Sequence, residues 1–306
     1  DRVFFPFSFG PFLGFWAAFE GAARRGYLAI PGGGMSTSAR LRVLLHAGAT
    51  VVAATPTYAL RMAETAQAEG VDLAASPVRA LIVAGEPGGS VPATKERIET
   101  AWGARCFDHS GMTEVGPFGF ECLEGPGGMH AMEGEYIVEV IDPRTGKRIV
   151  PGSNGAAEGE LVITNLGRAA SPVLRYRTGD LVRWSLGGCA CGRAEGRLEG
   201  GILGRFDDMI FVRGNNLYPS AIEAIIRKFP EVAEYRVRAF SSNEMTRLEI
   251  EVEAVPAGAE GKPDLPDRVA SAIEKALLFK ASVKLVLAGS LPRFEMKGKR
   301  FHKETV

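Results

Sequence analysis

Cysteine is scarce in this chain, net charge is absent, and no long apolar run occurs. Four cysteines in 306 residues are too few for a disulfide scaffold of this size. The 36 basic and 36 acidic side chains cancel, so no global field draws the chain to nucleic acid or to an anionic membrane, and small-molecule partners are expected. No stretch approaches the roughly 18 to 20 apolar residues of a membrane span, and Asp1 to Gly14 lacks the basic head and cleavage site of a signal peptide. A cytoplasmic location is the expectation. Internal repeats and low-complexity tracts are missing, as are a nucleophile elbow, a dinucleotide glycine fingerprint and any Ser/His/Asp order.

What is present is a globular composition. At roughly 150 residues per domain, 306 residues suggest two domains, and 46% hydrophobic side chains can give each a core. Residues 1–110 alternate helical and strand patterns. Ser38 to His46 reads as a helix, Gly48 as its stop and Thr50 to Thr55 as a strand. A helix after Pro56 ending near Gly70, a buried strand Ala80 to Ala84, and a helix Val91 to Trp102 follow. This alternation predicts an α/β fold with a parallel layer. From Gly134 the period shortens to that of strands, as in Glu135 to Ile141 and Glu160 to Thr164, which predicts a small β subdomain. After Gly204 a smaller α+β unit begins. Pro219 opens an amphipathic helix, Tyr235 to Val252 holds two strands, and a helix near Pro266 to Phe279 precedes a strand and a basic tail.

Several short motifs carry chemistry. In Tyr176-Arg177-Thr178-Gly179-Asp180 a carboxylate following an apolar strand can accept two hydrogen bonds from vicinal ribose hydroxyls; an isolated Thr-Gly-Asp is more often a capped turn. Ser110-Gly111-Met112-Thr113-Glu114 follows a short strand, Arg105 to Phe107, where α/β proteins bind ligands. There Thr113 can donate to a phosphate oxygen and Glu114 can hold Mg²⁺, or the segment is simply a capped helix start. Gly85-Glu86-Pro87-Gly88-Gly89 follows another strand and leaves a backbone that a flat base can approach, or is a plain surface loop. Gly32-Gly33-Gly34-Met35-Ser36 lacks the lysine and spacing of a Walker loop and reads as a turn before a helix.

Taken in order, Gly85 to Gly88, Ser110 to Glu114, Tyr176 to Asp180, Gly204-Arg205-Phe206-Asp207-Asp208, and Leu291-Pro292-Arg293 with Lys297 resemble the adenylate-forming superfamily, nearest its phenylacetate-CoA ligase branch. The resemblance covers essentially the whole chain. It implies ATP-dependent activation of a carboxylic acid, aromatic in this branch, to an acyl-AMP, followed by transfer to coenzyme A, with Mg²⁺ as the nucleotide's ion. The acceptor stays open among coenzyme A, an amine and a carrier-protein thiol, and a nucleotide-binding module without turnover is a third reading.

The resemblance further implies an adenylation domain over residues 1–206, divided into an α/β layer (residues 1–133) and a β subdomain (residues 134–206), and a mobile lid over residues 207–306. Asp180 would bind the ribose with help from Arg205, and Asp207 would be the hinge. Thr113, Glu114 and Lys297 would be catalytic, Lys297 rather than Lys299 because Arg300 keeps the family spacing. A lysine there is a flexible point charge able to meet the α-phosphate as negative charge builds. Gly85, Glu86, Pro87, Asp108, His109, Ser110, Gly111 and Met112 would line the nucleotide and acid site, and Gly214 the thiol channel. The family carries an aromatic residue where Ser110 stands, so adenine stacking weakens or falls to another side chain. Its Ser/Thr/Gly-rich phosphate loop is expected upstream of Asp1, so the chain is expected to belong to a longer protein. A homodimer is compatible with the sequence, which does not set the oligomeric state.

Cys122 and His130 are separated by seven residues, and Cys189-Ala190-Cys191 forms a tight pair farther on. Three thiolates and an imidazole suit a closed tetrahedral structural zinc site; the alternative is ordinary loop residues and free thiols. Some members of the resembled family carry such a set, which favours Zn²⁺ without a catalytic role. Cys106 lies in an apolar strand and reads as core. His109 either lines the acid pocket or is merely hydrogen-bonded, and His46 and His302 show no partner in the sequence.

Overall fold

The computed structural model describes residues 1–10, 12–152, 155–212, 215–242, 245–255, 264–295 and 297–305. It divides into one unit of Asp1–Phe206 with Glu295–Lys297 and a second of Asp207–Phe294 with Gly298–Val306.

The first unit opens with β1 (Arg2–Phe5), α1 (Leu13–Arg24), β2 (Leu28–Pro31), α2 (Thr37–His46), β3 (Val51–Ala54), α3 (Pro56–Ala68), β4 (Ala80–Ala84), α4 (Pro92–Trp102) and β5 (Arg105–Met112). Local chemistry sets the boundaries. Ser36 caps α2 by accepting from Ala39 N at 3.3 Å, and Thr55 caps α3 by accepting from Tyr58 N at 3.1 Å ahead of Pro56. Gly103 ends α4 in the left-handed conformation. The four residues of β3 are all buried, as a parallel strand covered on both faces must be. Phe4, Val52, Leu81, Ile98 and Trp102 share the core on one face, and the Trp102 indole donates to Ala59 O at 3.0 Å.

The chain continues as β6 (Gly116–Phe120), β7 (Gly128–Ala131), β8 (Tyr136–Ile141), β9 (Arg148–Ile149), β10 (Ala157–Asn165), β11 (Tyr176–Ser185) and β12 (Arg197–Arg205). These strands do not form a separate sheet. One 12-stranded sheet runs β2-β1-β3-β4-β5-β6-β7-β12-β11-β10-β8-β9, parallel up to the β4–β5 pair and antiparallel from the β5–β6 pair onward. Antiparallel pairing thus begins before the change of period at Gly134, because the short, glycine-bearing β6 and β7 carry no alternating β-branched pattern.

The second unit holds β13 (Ile210–Val212) and β14 (Asn215–Leu217) as a ribbon, α5 (Pro219–Ile226), β15 (Val232–Ser242), β16 (Met245–Ala254), α6 (Leu265–Leu277), β17 (Ser282–Val286) and β18 (Phe301–Thr305). Its sheet order is β17-β16-β15-β18, and Ile222, Ile226, Val237, Ile250, Val269 and Ile273 are among its core. The basic tail is therefore a strand, parallel to β15. No helix among the described residues is long and apolar enough to cross a membrane.

Candidate functional site

Tyr176 to Asp180 lies at the start of β11 and is strand, not turn. A register irregularity in the β10–β11 pair and the left-handed Gly179 (φ 74°) let this stretch bulge without leaving the ladder. Thr178 donates to Leu161 O at 3.0 Å and accepts from Asp180 N at 3.0 Å, which orients the carboxylate. Asp180 is buried, and Arg205 on β12 is its direct cross-strand partner, with Nη1 3.4 Å from Oδ1. Burial raises the Asp180 carboxyl above its usual range, while Arg205, the Thr178 hydrogen bond and Lys297 oppose the rise.

The second motif also differs from its expected form. Asp108 to Met112 belong to β5, and no helix follows; Thr113, Glu114 and Val115 turn the chain into β6. Three side chains not singled out in the sequence hold this turn by its carbonyls. Arg168 donates to Thr113 O at 3.0 Å and to Glu114 O at 2.5 Å, and Asn165 Nδ2 (2.6 Å) and Tyr136 Oη (3.1 Å) donate to Val115 O. The Thr113 and Glu114 side chains are left exposed. Burial and the nearby Glu114 charge raise the Tyr176 phenol above its usual range, so this turn lies beside the Tyr176–Asp180 stretch. Ser110 Oγ lies 3.2 Å from Met129 Sδ.

The Gly85–Gly89 loop owes most of its glycine to packing against protein. A Cβ on Gly88 would sit 2.6 Å from Pro56 Cβ, and one on Gly89 would sit 2.5 Å from Asp108 Oδ1. Gly85 is the open position: it is exposed at φ 96°, and a Cβ there would meet Lys297 Cε at 3.6 Å and Thr55 Cγ2 at 3.7 Å. Pro87 is also exposed. Glu86 points to the start of α3, where Oε1 accepts from Thr57 N at 2.8 Å.

Asp108 lies beneath this loop, 8% exposed, with Oδ2 accepting from Ser90 Oγ at 2.5 Å and Oδ1 from His109 N at 3.0 Å. Burial pushes its carboxyl up to about 6, against the Ser90 hydrogen bond. Glu121 supports it from below, accepting from Asp108 N and Gly127 N at 2.8 Å and pairing with Lys95 at 2.5 Å. Burial lowers the His109 imidazole below its usual range, opposed by a backbone hydrogen bond at Gly119.

Arg40 Nε donates to Gly32 O at 2.8 Å, so Gly32–Ser36 is a structural turn into α2. Asp207 lies in a 3₁₀ turn, Phe206–Asp208, where the division between the two units falls; its carbonyl accepts from Lys303 Nζ at 2.6 Å. Gly214 lies outside the described residues.

The cysteine and histidine set does come together. Cys122 follows β6, His130 is on β7, and Cys189 and Cys191 lie in the loop before β12; pairing of His130 with Arg197 brings β7 and β12 side by side. All four ligand atoms lie within 4.8 Å of one another. Cys122 Sγ is 3.5 Å from Cys189 Sγ, and Cys191 Sγ is 3.4 Å from His130 Nε2. A tetrahedron with Zn–S bonds of about 2.3 Å has edges of about 3.8 Å, so the donors fit such an ion. His130 Nδ1 lies 3.2 Å from Glu195 O, which leaves Nε2 for a metal. The Cys191 backbone N–H holds the Cys189 thiol down to about 6, despite desolvation, which favours the thiolate a metal needs. Cys106 is separate and buried in the core, and burial pushes its thiol up to about 12.

Residues 214–304 match the AMP-binding enzyme C-terminal domain. Over 250 residues the chain is 32% identical to a phenylacetate-coenzyme A ligase of Thermus thermophilus, covering 81% of this chain and 55% of that enzyme. An open conformation of 2-hydroxyisobutyryl-CoA ligase in complex with 2-HIB-AMP and CoA is 30% identical over 99% of this chain and 67% of that one, with a TM-score of 0.67. The chain belongs to the phenylacetate-CoA ligase-like family of adenylate-forming enzymes. The same 2-hydroxyisobutyryl-CoA ligase in its postadenylation state, with R3-HIB-AMP, superposes at a TM-score of 0.92, covering 99% of this chain and 65% of that one. This phenylacetate-CoA ligase-like chain spans about half the length of the first curated relatives it matches.

Proposed function

We propose that the chain supplies the nucleotide-binding domain, residues 1–206, and the lid, residues 207–306, of an AMP-forming acid–thiol ligase. A carboxylate oxygen of the acid attacks the α-phosphorus of ATP, the bond to the β-phosphate oxygen breaks, and pyrophosphate leaves. The thiolate of coenzyme A then attacks the acyl carbon of the adenylate, and AMP leaves with the electron pair. The observation that carries this reading is the grouping, within the first unit, of a buried carboxylate beside a guanidinium (Asp180 and Arg205) and the Thr113–Glu114 turn, which lies beside Tyr176.

Each residue has a role in this reading. Asp180 accepts from the ribose hydroxyls, with Arg205 beside it. The exposed backbone at Gly85 lies under the base, and Asp108 sets the floor beneath the loop. Thr113 donates to a phosphate oxygen, and Lys297 meets the α-phosphate and carboxylate as charge builds. Glu114, exposed and next to Tyr176, would hold Mg²⁺ directly or through water; the ion when bound offsets phosphate charge. Cys122, His130, Cys189 and Cys191 would hold a structural Zn²⁺ that pins two loops, and four protein ligands leave no position for substrate. Asp207 is the hinge. The acid is aromatic in this reading and the acceptor is coenzyme A, in keeping with the phenylacetate-coenzyme A ligase relatives.

The test is pyrophosphate exchange on the full-length protein with ATP and phenylacetate, followed by product analysis with coenzyme A, a carrier protein and an amine. Acid-dependent exchange and a coenzyme A thioester are expected. AMP binding with no exchange for any acid would overturn turnover and leave a nucleotide-binding module.

A further inference from the structure

The stretch from Gly289 to Arg300 contains no helix or strand among its described residues, yet it is fastened at two points of the second unit. Near its start, the Glu253 carboxylate accepts from Gly289 N at 2.8 Å, Leu291 N at 3.1 Å, and Arg293 Nη1 and Nη2 at 3.0 and 2.5 Å. At its end, Arg300 donates Nε and Nη2 to Glu234 at 2.6 and 2.9 Å, with its guanidinium 5.5 Å from the Tyr235 ring centre and 5.4 Å from that of Phe294. Lys297, exposed, lies between these two arginines.

The two carboxylates are not independent. Glu234 and Glu253 are direct partners across the β15–β16 ladder, at 4% and 1% exposure. Like charges opposite each other on a sheet are destabilising, and an unmatched buried carboxylate is more so. The nearest pair on the same face, Arg236 with Glu251, is of opposite charge, so two facing carboxylates are not the pattern of this face. Glu251, two residues earlier on β16, is matched by Arg236 and Lys284 from adjacent strands. Glu253 and Glu234 instead take arginines from the irregular stretch, and Glu253 holds two of its backbone N–H groups as well. Arg227 stands 3.9 Å from Glu234 and cushions that end, so Glu253 has the more exclusive grip.

We propose that Glu253 and Glu234 are positioning residues that hold the two feet of a loop whose middle presents Lys297, and so set that lysine's reach. The proposal rests on the role given to Lys297 above. Six residues separate Arg293 from Arg300, few enough that fixing both ends confines the middle. Loosening one foot leaves the lysine present and charged but scattered in position, and a displacement of about 1 Å at a reacting centre can cost roughly a hundredfold in rate.

Amide hydrogen exchange on the whole chain reads the grip directly. In Glu253→Gln, the Gly289 and Leu291 amides are expected to exchange at least about tenfold faster while β15 and β16 amides keep their protection. Unchanged protection at Gly289 and Leu291 would overturn the proposal. In activity, acid-dependent pyrophosphate exchange is expected to fall by about a hundredfold, with thioester formation from supplied acyl-adenylate and coenzyme A held within about twofold. Adding the substitution to Lys297→Ala is expected to cause no further loss, since the two act as one device. Equal losses in both half-reactions, or losses that multiply with Lys297→Ala, would mark Glu253 as merely structural. If Glu253→Gln does not fold, Arg293→Gln is read by the same criteria. If the unaltered full-length protein shows no exchange with any acid, the ligase reading falls, and the amide result alone decides whether Glu253 holds the loop.

Discussion

Asp180 and Arg205 stand opposite each other as cross-strand partners on β11 and β12, with carboxylate and guanidinium 3.4 Å apart. The arginine opposes the burial that raises this carboxyl above its usual range. Asp180→Ala should weaken AMP binding by about 10- to 100-fold, the range for hydrogen bonds to a charged group. Calorimetric titration checks this, and an unchanged affinity would remove Asp180 from the nucleotide site. Arg205→Ala should do less, because its side chain is 48% exposed.

Asp108 supplies a pH dependence of a particular sign. Its carboxyl is raised from 3.8 to about 6 in the folded chain, so between those values the folded state binds protons that the unfolded state has released. The stability linked to the neutral form is complete below 3.8 and is lost as pH rises through about 6. An Asp108→Asn variant, which stays neutral, should therefore gain in melting temperature relative to the unaltered chain as pH goes from about 4 to about 7. A difference that stays flat across that range would count against the shift.

Gly89 tests how tightly the loop rests on Asp108. A methyl group there would lie 2.5 Å from Oδ1 and 2.7 Å from Val83 Cγ2. Gly89→Ala should destabilise the fold by about 1 to 3 kcal/mol through overpacking. Urea unfolding measures it, and a change below about 0.5 kcal/mol would show that the loop lifts freely.

Purification without chelator should yield one equivalent of zinc by elemental analysis. Cys122→Ser should lower both metal content and melting temperature, since the four donor atoms, from distant stretches, lie within 4.8 Å of one another. Chelation should reproduce the loss in the unaltered chain and not in the variant. A metal-free protein with an unchanged melting temperature would rule out the site.

Arg168→Ala should release the Thr113 and Glu114 carbonyls it now binds. The expected result is a fall in pyrophosphate exchange of about tenfold or more with the melting temperature nearly unchanged, because the arginine is only half-buried and its two partners are exposed. Full activity in that variant would show that Asn165 and Tyr136 hold the turn unaided.

How legible the molecule was in its sequence depended on the kind of signal. Helices α2 to α5 announce themselves through Ser36, Pro56, Pro92 and Pro219 at their starts, and Gly103 marks a stop. The full length of β5 was hidden because Asp108-His109-Ser110-Gly111 has little strand propensity; its ladder partners on β4 and then β6 override that. Tyr176–Asp180 looked like a turn because a bulge uses the same Thr-Gly-Asp chemistry inside a strand. The three cysteines and His130 were readable as metal-ligating residue types, but their meeting depends on β7 lying beside β12, a long-range pairing with no local trace. Ser90, Glu121 and Arg168 bind through backbone groups or buried carboxylates, and no spacing rule points to them.

His109 is the residue of β5 paired on both sides, with Ala84 on the parallel edge and Phe120 on the antiparallel edge. Everything before it is held by β4 and everything after it by β6, so this one residue splices two halves of the sheet. A single residue inserted just after it would leave Asp108 in place and send Ser110 and Met112 to the opposite face. Between the buried carboxylate and the Thr113–Glu114 turn, the molecule is thus more tolerant of a changed letter than of a changed count.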